Sequence, residues 1–442
     1  MIPLHRSGLL VLVAGWLLTQ GLAAVPAFPI KASANGRYLV DAAGIPFLYH
    51  ADTVWALPKK ATLAVADEYF ARRVRDGFTA VHLHAVSKEV GPVTNLNGDE
   101  PFTPLDDILK PNEVYWRHLD AILESAERHG LVAAVSALWI RWGGQDREGW
   151  RNQLTETNAR IYGEFLGKRY RARQNIVWIL GGDANPKEKA KAVSMLAQGL
   201  RATAPHHLIT VHNAPENSSA SQFGHEPWLD LNATYTYREV AGPVLAEWNR
   251  QYVDGRPRPI FLIESGYERE SNDQRAGTPF RVRRQAYAAV LSGALAGHAY
   301  GHRELWRFSG QWREAVNDPG SRHMAHVKAL FAGRAWWRLV PDQKSEFVTA
   351  GRGEPGKDDY VTAACASDNS FAIAYLPSPH RLTLNLGRLA RPTVDMFWFD
   401  PTSGQMTPVA GKHPPNLGEA TFFKQDKNAA GDSDWVLLAE PR

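Results

Sequence analysis

Between about residue 46 and residue 335, eight short apolar runs alternate with longer amphipathic stretches, and this alternation constrains the fold more than any other feature. The runs are PFLYHAD, FTAVHLHAV, LVAAVSALW, NIVWILGGD, HLITVHN, LNATYTY, PIFLIES and GHAYGH. Eight strand–helix repeats are the number that closes a (β/α)8 barrel. The segments between them fit helices. TLAVADEYFARRVRDG stops at Gly77 and VYWRHLDAILESAERHG at Gly130, where a helix C-terminus wants a residue free to turn left-handed. A doubly wound sheet would show the same alternation, but no glycine-rich dinucleotide fingerprint follows the first strand. An α/β fold with a (β/α)8 TIM barrel over residues 28–336 is therefore expected.

From about Trp337 the texture changes. EFVTAG, DYVTAAC, FAIAYL, RLTLNLG, DMFWFD and WVLLAE are short strands broken by Gly, Pro, Asp and Asn, the pattern of a small antiparallel β-sandwich over residues 337–442. No Ser/Pro-rich linker separates the two parts, so direct packing is expected. At the other end, His5 and Arg6 precede the apolar run GLLVLVAGWLL and the small residues of GLAAVPA. This reads as a secretory signal, cleaved between Ala23 and Ala27, because a spanning helix needs about 20 apolar residues. Residues 1–27 are thus expected to be a signal peptide, the protein exported to the periplasm or outside the cell, with no stable membrane insertion after cleavage. The lone Cys365 excludes an intramolecular disulfide framework. A net charge of only +4 on 442 residues, without a Lys/Arg block, argues against nucleic acid as a partner.

The strands nearly all end on polar or aromatic residues: Asp52, His84, Trp139, Asp183, Asn213, Tyr235 or Tyr237, Glu264 and His302. All strand C-termini of a parallel barrel open at one face, where active sites are built. In the fourth run, alternation puts Val177, Ile179, Gly181 and Asp183 on one side, and two glycines leave room beside the carboxylate for a ligand or a close backbone. Asn185 and Pro186 read as N-cap and first residue of the next helix, which leaves Asp183 without a capping role. In the seventh run, Ile260, Leu262 and Glu264 share a face. Asp183 and Glu264 are the pair that glycoside hydrolysis needs, one to protonate the leaving oxygen and one to attack or to activate water. A polysaccharide or oligosaccharide would be the partner and no cofactor or metal is required. Trp55, Trp139 and Trp306 are candidates for stacking on sugar faces. Asp52, His84, Asn213, Tyr235 and His302 are candidates for holding hydroxyls, and Arg141 or Arg303 could meet an anionic substrate. Two alternatives stand beside this: a metal-dependent hydrolase built on the His82/His84 pair with His212, His298 and His302, and a non-catalytic carbohydrate-binding surface protein.

GRYLVDAAGIPFLYHADTVWAL, YFARRVRDGFTAVHLHAV, NIVWILGGDANP, RPIFLIESGYE and RRQAYAAVLSGALAGHAYGHRELWRF, in this order and at suitable spacing, resemble the apiosidase-like glycoside hydrolases. DMFWFDPTSG resembles the collagen-binding-type sandwich that follows that barrel. The resemblance implies catalytic carboxylates on strands four and seven, with Asp183 as general acid/base and Glu264 as nucleophile. It also implies a retaining mechanism and an apiosyl linkage of pectic rhamnogalacturonan II as the substrate.

Overall fold

The structure, a computed structural model, describes residues 25–140, 150–409 and 418–441, and no side chain at 252–254 or 441. Nearly all of the expected signal peptide, and Arg141, lie outside the described residues.

All eight expected barrel strands form. In chain order they are Tyr49–Thr53, Ala80–His84, Val132–Ser136, Ile176–Gly181, Leu208–His212, Asn232–Tyr235, Ile260–Glu264 and Gly297–Tyr300, called here the first to eighth strands. They pair in parallel from the fifth back through the first and on through the eighth to the sixth. The fifth and sixth strands meet more loosely, Asp230 N donating to Ile209 O at 3.0 Å and Thr210 Oγ1 to Leu231 O at 3.0 Å. A nearly closed barrel results, with helices outside. Thr62 caps the helix Leu63–Arg75 and Asn112 caps Glu113–Arg128, each side chain accepting a backbone N–H of the first turn. Gly77 and Gly130 follow with φ of +92° and +71°, as a left-handed exit requires. The run PFLYHAD divides differently from expectation. Pro46–Phe47 joins Lys31–Ala32 and Leu39–Val40 in a small antiparallel sheet, whose Leu39 and Phe47 join the core inside the barrel.

Each barrel strand is buried on both faces. Tyr49, Ala51, Ala134, Val177, Ile179, Ala233 and Phe261 pack inside the barrel, while Val81, Val135, Trp178, Val211 and Leu262 pack against the helices. Along a strand, neighbours therefore belong to different cores.

The C-terminal part is a sandwich of a six-stranded and a three-stranded antiparallel sheet. Three of its strands, Leu339–Pro341, Met406–Pro408 and Glu419–Phe423, were not anticipated; each is short or largely exposed. Ala363, Cys365 and Ala374 face the three-stranded sheet, whereas Ala364, Ala366, Ile373 and Tyr375 join the core of the barrel helices. The direct packing expected from the missing linker is present. Tyr287, in the barrel helix Pro279–Leu291, stacks on Tyr375 at 4.8 Å. Arg283, from the same helix, donates to Asp434 across the boundary with no exposure on either side chain. Tyr375 and Asn428 also donate to Asp434 at 2.8 Å.

Removing one partner of a buried, hydrogen-bonded pair leaves the other charge unpaired. Asp434→Ala is therefore expected to lower the unfolding free energy by about 3–5 kcal/mol, measured by urea denaturation.

Candidate active site

The fourth strand runs into two glycines for a reason the structure makes plain. Gly181 has φ of +84°, and a Cβ there would sit 2.4 Å from the carbonyl oxygen of His212. The gap beside the strand is filled by the backbone of the fifth strand, with Gly182 N donating to His212 O at 3.0 Å. The close approach brings Asp183 and the end of the fifth strand together. Asn185 has another task than capping: its Oδ1 accepts from Ala214 N at 3.2 Å, and the α-helix begins only at Ala190, after a 3-10 turn.

Glu264 arrives by a bulge. Ile260 and Leu262 point into the helix layer, and strict alternation would send Glu264 after them. The pairing with the sixth strand skips a residue: Thr234 faces Leu262, and Tyr235 faces Glu264. The extra residue, Ile263, re-aims the next side chain into the mouth, a common use of bulges beside active sites.

At the mouth, Glu264 Oε2 accepts from His212 Nε2 at 2.8 Å and Oε1 from Tyr237 Oη at 2.9 Å. Asp183 Oδ1 accepts from Tyr235 Oη at 2.8 Å. The other ring nitrogen of His212 faces the carbonyl oxygen of Asn213 at 3.1 Å. Both ring nitrogens of His212 thus face oxygen atoms, an arrangement that favours the protonated ring. Burial pulls its pKa down, but the hydrogen bond to Glu264 and the charges of Glu264 and Asp183 outweigh it, and the net shift is upward. Glu264 is thus held by a phenol and by an imidazole whose proton affinity it raises.

Asp183 and Glu264 line one cleft of about 200 Å³ with Trp55, Glu89, Trp139, Tyr237, Tyr267 and Trp306. Its floor is aromatic. Trp55 stacks on His84 at 4.7 Å and 14°, Trp139 lies 4.7 Å from His84 and 4.9 Å from His212, and His212 lies 4.8 Å from Tyr235. At the rim Trp306 Nε1 donates to Glu270 at 2.8 Å, and the Arg307 guanidinium lies 4.7 Å over the indole. A larger cavity, of about 600 Å³, lies between Trp248 and the sandwich. Its carboxylates are committed, Asp342 to backbone N–H groups and Glu346 to Arg388, so it offers no acid/base pair.

Of the residues expected at the site, Asp183, Glu264, Trp55, Trp139 and Trp306 line the cleft, and Tyr235 holds Asp183. His84 lies under Trp55, fully buried, as support for the floor. Three expectations are corrected. Asp52 shares the outward parity of His50 and Val54; it is fully buried in an ion pair with Arg73 at 2.7 Å and accepts from Tyr69. Asn213 donates to Ser218 O at 2.7 Å and braces its own loop. His302 caps the short helix Arg303–Trp306 and meets Asp318 at 2.7 Å. Among the described residues it is Arg307, not Arg303, that lines the cleft. The other histidines of the metal alternative are engaged elsewhere: His82 meets Tyr49 Oη at 2.8 Å, with its pKa lowered by burial to about 3, and His298 meets His50 at 3.0 Å. Among the described residues no group of three His, Cys, Asp or Glu could hold a metal ion. Sequence reasoning missed Glu89, Tyr267, Glu270, Asn272 and Arg307, all outside the eight barrel strands and without a strand-end signal, and it placed His212 only among the metal candidates.

A family model described as "Apiosidase-like, catalytic domain" matches residues 33–338, and one described as "Putative collagen-binding domain of a collagenase" matches residues 340–440. A solved "Glycoside hydrolase" superposes with a TM-score of 0.82 at 24% identity over 94% of this chain and 97% of its own. A glycoside hydrolase family 5 structure from Bacteroides vulgatus gives a TM-score of 0.81 at 23% identity over 93% of each chain. A search of curated protein sequences finds no match. At these identities the structural likeness speaks for the fold.

Two outcomes follow from the geometry. Asp52→Asn should lower the unfolding free energy by about 3 kcal/mol and leave KM within twofold of wild type; a large rise in KM would return Asp52 to the site. His212 binds its proton more tightly folded than unfolded, so its contribution to stability is full below the unfolded pKa of about 6.5 and is lost as pH rises through the higher folded value. The stability gap between wild type and His212→Gln, read by urea denaturation, should therefore be widest near pH 6 and narrow toward pH 9.

Proposed function

We propose, for a chain that belongs to the apiosidase-like glycoside hydrolases, that Asp183 and Glu264 cleave an apiosyl linkage of rhamnogalacturonan II with retention of configuration. Family membership makes the barrel a glycosidase catalytic domain acting on carbohydrate and removes the non-catalytic alternative. The observation that supports the finer reading is that two carboxyl groups from the ends of the fourth and seventh strands line one cleft, Glu264 held by His212 and Tyr237 and Asp183 by Tyr235 among its contacts.

In the first step Glu264 attacks the anomeric carbon, and Asp183, as the acid, gives its proton to the departing oxygen. In the second, Asp183 takes a proton from water, whose oxygen attacks the same carbon and releases Glu264. His212 and Tyr237 orient Glu264 throughout and stabilise its charge when it leaves the sugar. Trp55, Trp139 and Trp306 offer apolar ring surface to the sugar. The apolar leader at the N-terminus supports export, which would bring such an enzyme to a polysaccharide.

Asp183→Asn and Glu264→Gln should each reduce turnover of rhamnogalacturonan II by roughly 10²- to 10⁴-fold with an unchanged thermal transition. Released apiose, unaffected by chelator and appearing first as the anomer of the substrate linkage by proton NMR, is the expected product. Near-normal rates in either variant would sink the assignment, and release of the opposite anomer would replace retention by inversion.

A further inference from the structure

The cleft holds a carboxyl group that the two-carboxylate mechanism does not use. Glu89 lies in the loop after the second strand and lines the same cleft as Asp183 and Glu264. Its backbone is anchored. The buried Lys59 ammonium donates to the carbonyl oxygens of Glu89 at 2.6 Å and Ser87 at 3.2 Å, and Glu89 N donates to Ser87 Oγ at 3.0 Å. Val90, the next residue, takes φ of +55°, a conformation that is strained for a β-branched side chain and recurs at functional sites. The lysine is thus used on the backbone that carries Glu89, and among the described residues no cation forms an ion pair with the Glu89 carboxyl.

We propose that Glu89 is a sugar-binding residue, whose side chain hydrogen-bonds a hydroxyl of the glycosyl unit seated between Asp183 and Glu264 and so selects which sugar is accepted. The inference rests on the glycosidase reading above and adds a substrate contact to it. The charged and titratable groups around the carboxyl are Asp183 from the fourth strand, Glu264 from the seventh and His212 from the fifth, with Lys59 on the backbone side. Burial, then the charges of Asp183 and Glu264, push Glu89 up to about 8, while His212 and the Trp139 indole pull the other way. Near neutral pH it therefore keeps its proton, and as an O–H it both donates to and accepts from a sugar hydroxyl. Above that range it ionises, which removes the donor and adds negative charge to a cleft that already holds Asp183, Glu264 and Glu270.

The test titrates wild type, Glu89→Gln and Glu89→Ala with free apiose, read by the fluorescence of the cleft tryptophans at pH 6 and pH 9.5. Glu89→Ala should weaken binding at pH 6 by roughly 10- to 100-fold. Glu89→Gln, which keeps a donor and an acceptor without the titration, should bind within threefold of wild type. Wild-type binding should weaken about tenfold from pH 6 to pH 9.5, and that of Glu89→Gln should not. Unchanged binding in Glu89→Ala, or a Glu89→Gln protein that keeps the wild-type loss at pH 9.5, overturns the role of Glu89 alone. Absence of apiose binding by wild type overturns the proposed sugar and this inference together.

Discussion

Burial on both faces of every barrel strand is the constraint from which the site follows. A polar residue near a strand end has two destinations, the mouth or the helix layer, and one step along the chain exchanges them. Asp52 and Glu264 show both outcomes. Each ends an apolar run, and each shares the parity of residues that face the helices. Asp52 follows that parity and is neutralised by Arg73. Glu264 escapes it, because Ile263 is the extra residue in the pairing with the sixth strand. One bulged residue thus separates a structural carboxylate from one that can do chemistry.

The architecture was largely legible in the sequence. Continuous apolar runs are what doubly buried parallel strands must be, and the glycines at 77 and 130 mark helix ends by their backbone freedom. At the site, Asp183, Glu264 and the three tryptophans could be read from strand ends. Asp52 was misplaced because its position was judged by the strand end rather than by the face it shares with His50 and Val54. The bulge at Ile263 has no composition signal, since Ile, Leu and Phe surround it. Glu89 was illegible for another reason. It lies in SKEVGP, a loop with no periodicity, and only the lysine anchor and the fold bring it to the cleft.

Electrostatically the mouth is an arrangement of carboxyl groups kept in different states by their neighbours. Glu264 has the buried His212 ring hydrogen-bonded against it, whereas at Glu89 burial and like charge outweigh the pull of His212 and the Trp139 indole. Proximity of carboxyl groups is costly unless some carry protons or face cations. His212 meets that cost at one of them, and the proton retained on Glu89 meets it at another. Acid and base character in one small cleft therefore comes from differences in solvation and partner, with no change of residue type.

The central strands of the six-stranded sheet are covered on both sides: one side packs on the partner sheet of the sandwich and the other completes the core of the barrel helices. In an evolutionary sense the two parts are not interchangeable beads. A recombination event that joined this barrel to an unrelated partner would have to supply a matching apolar surface opposite Tyr287 and a carboxylate opposite Arg283.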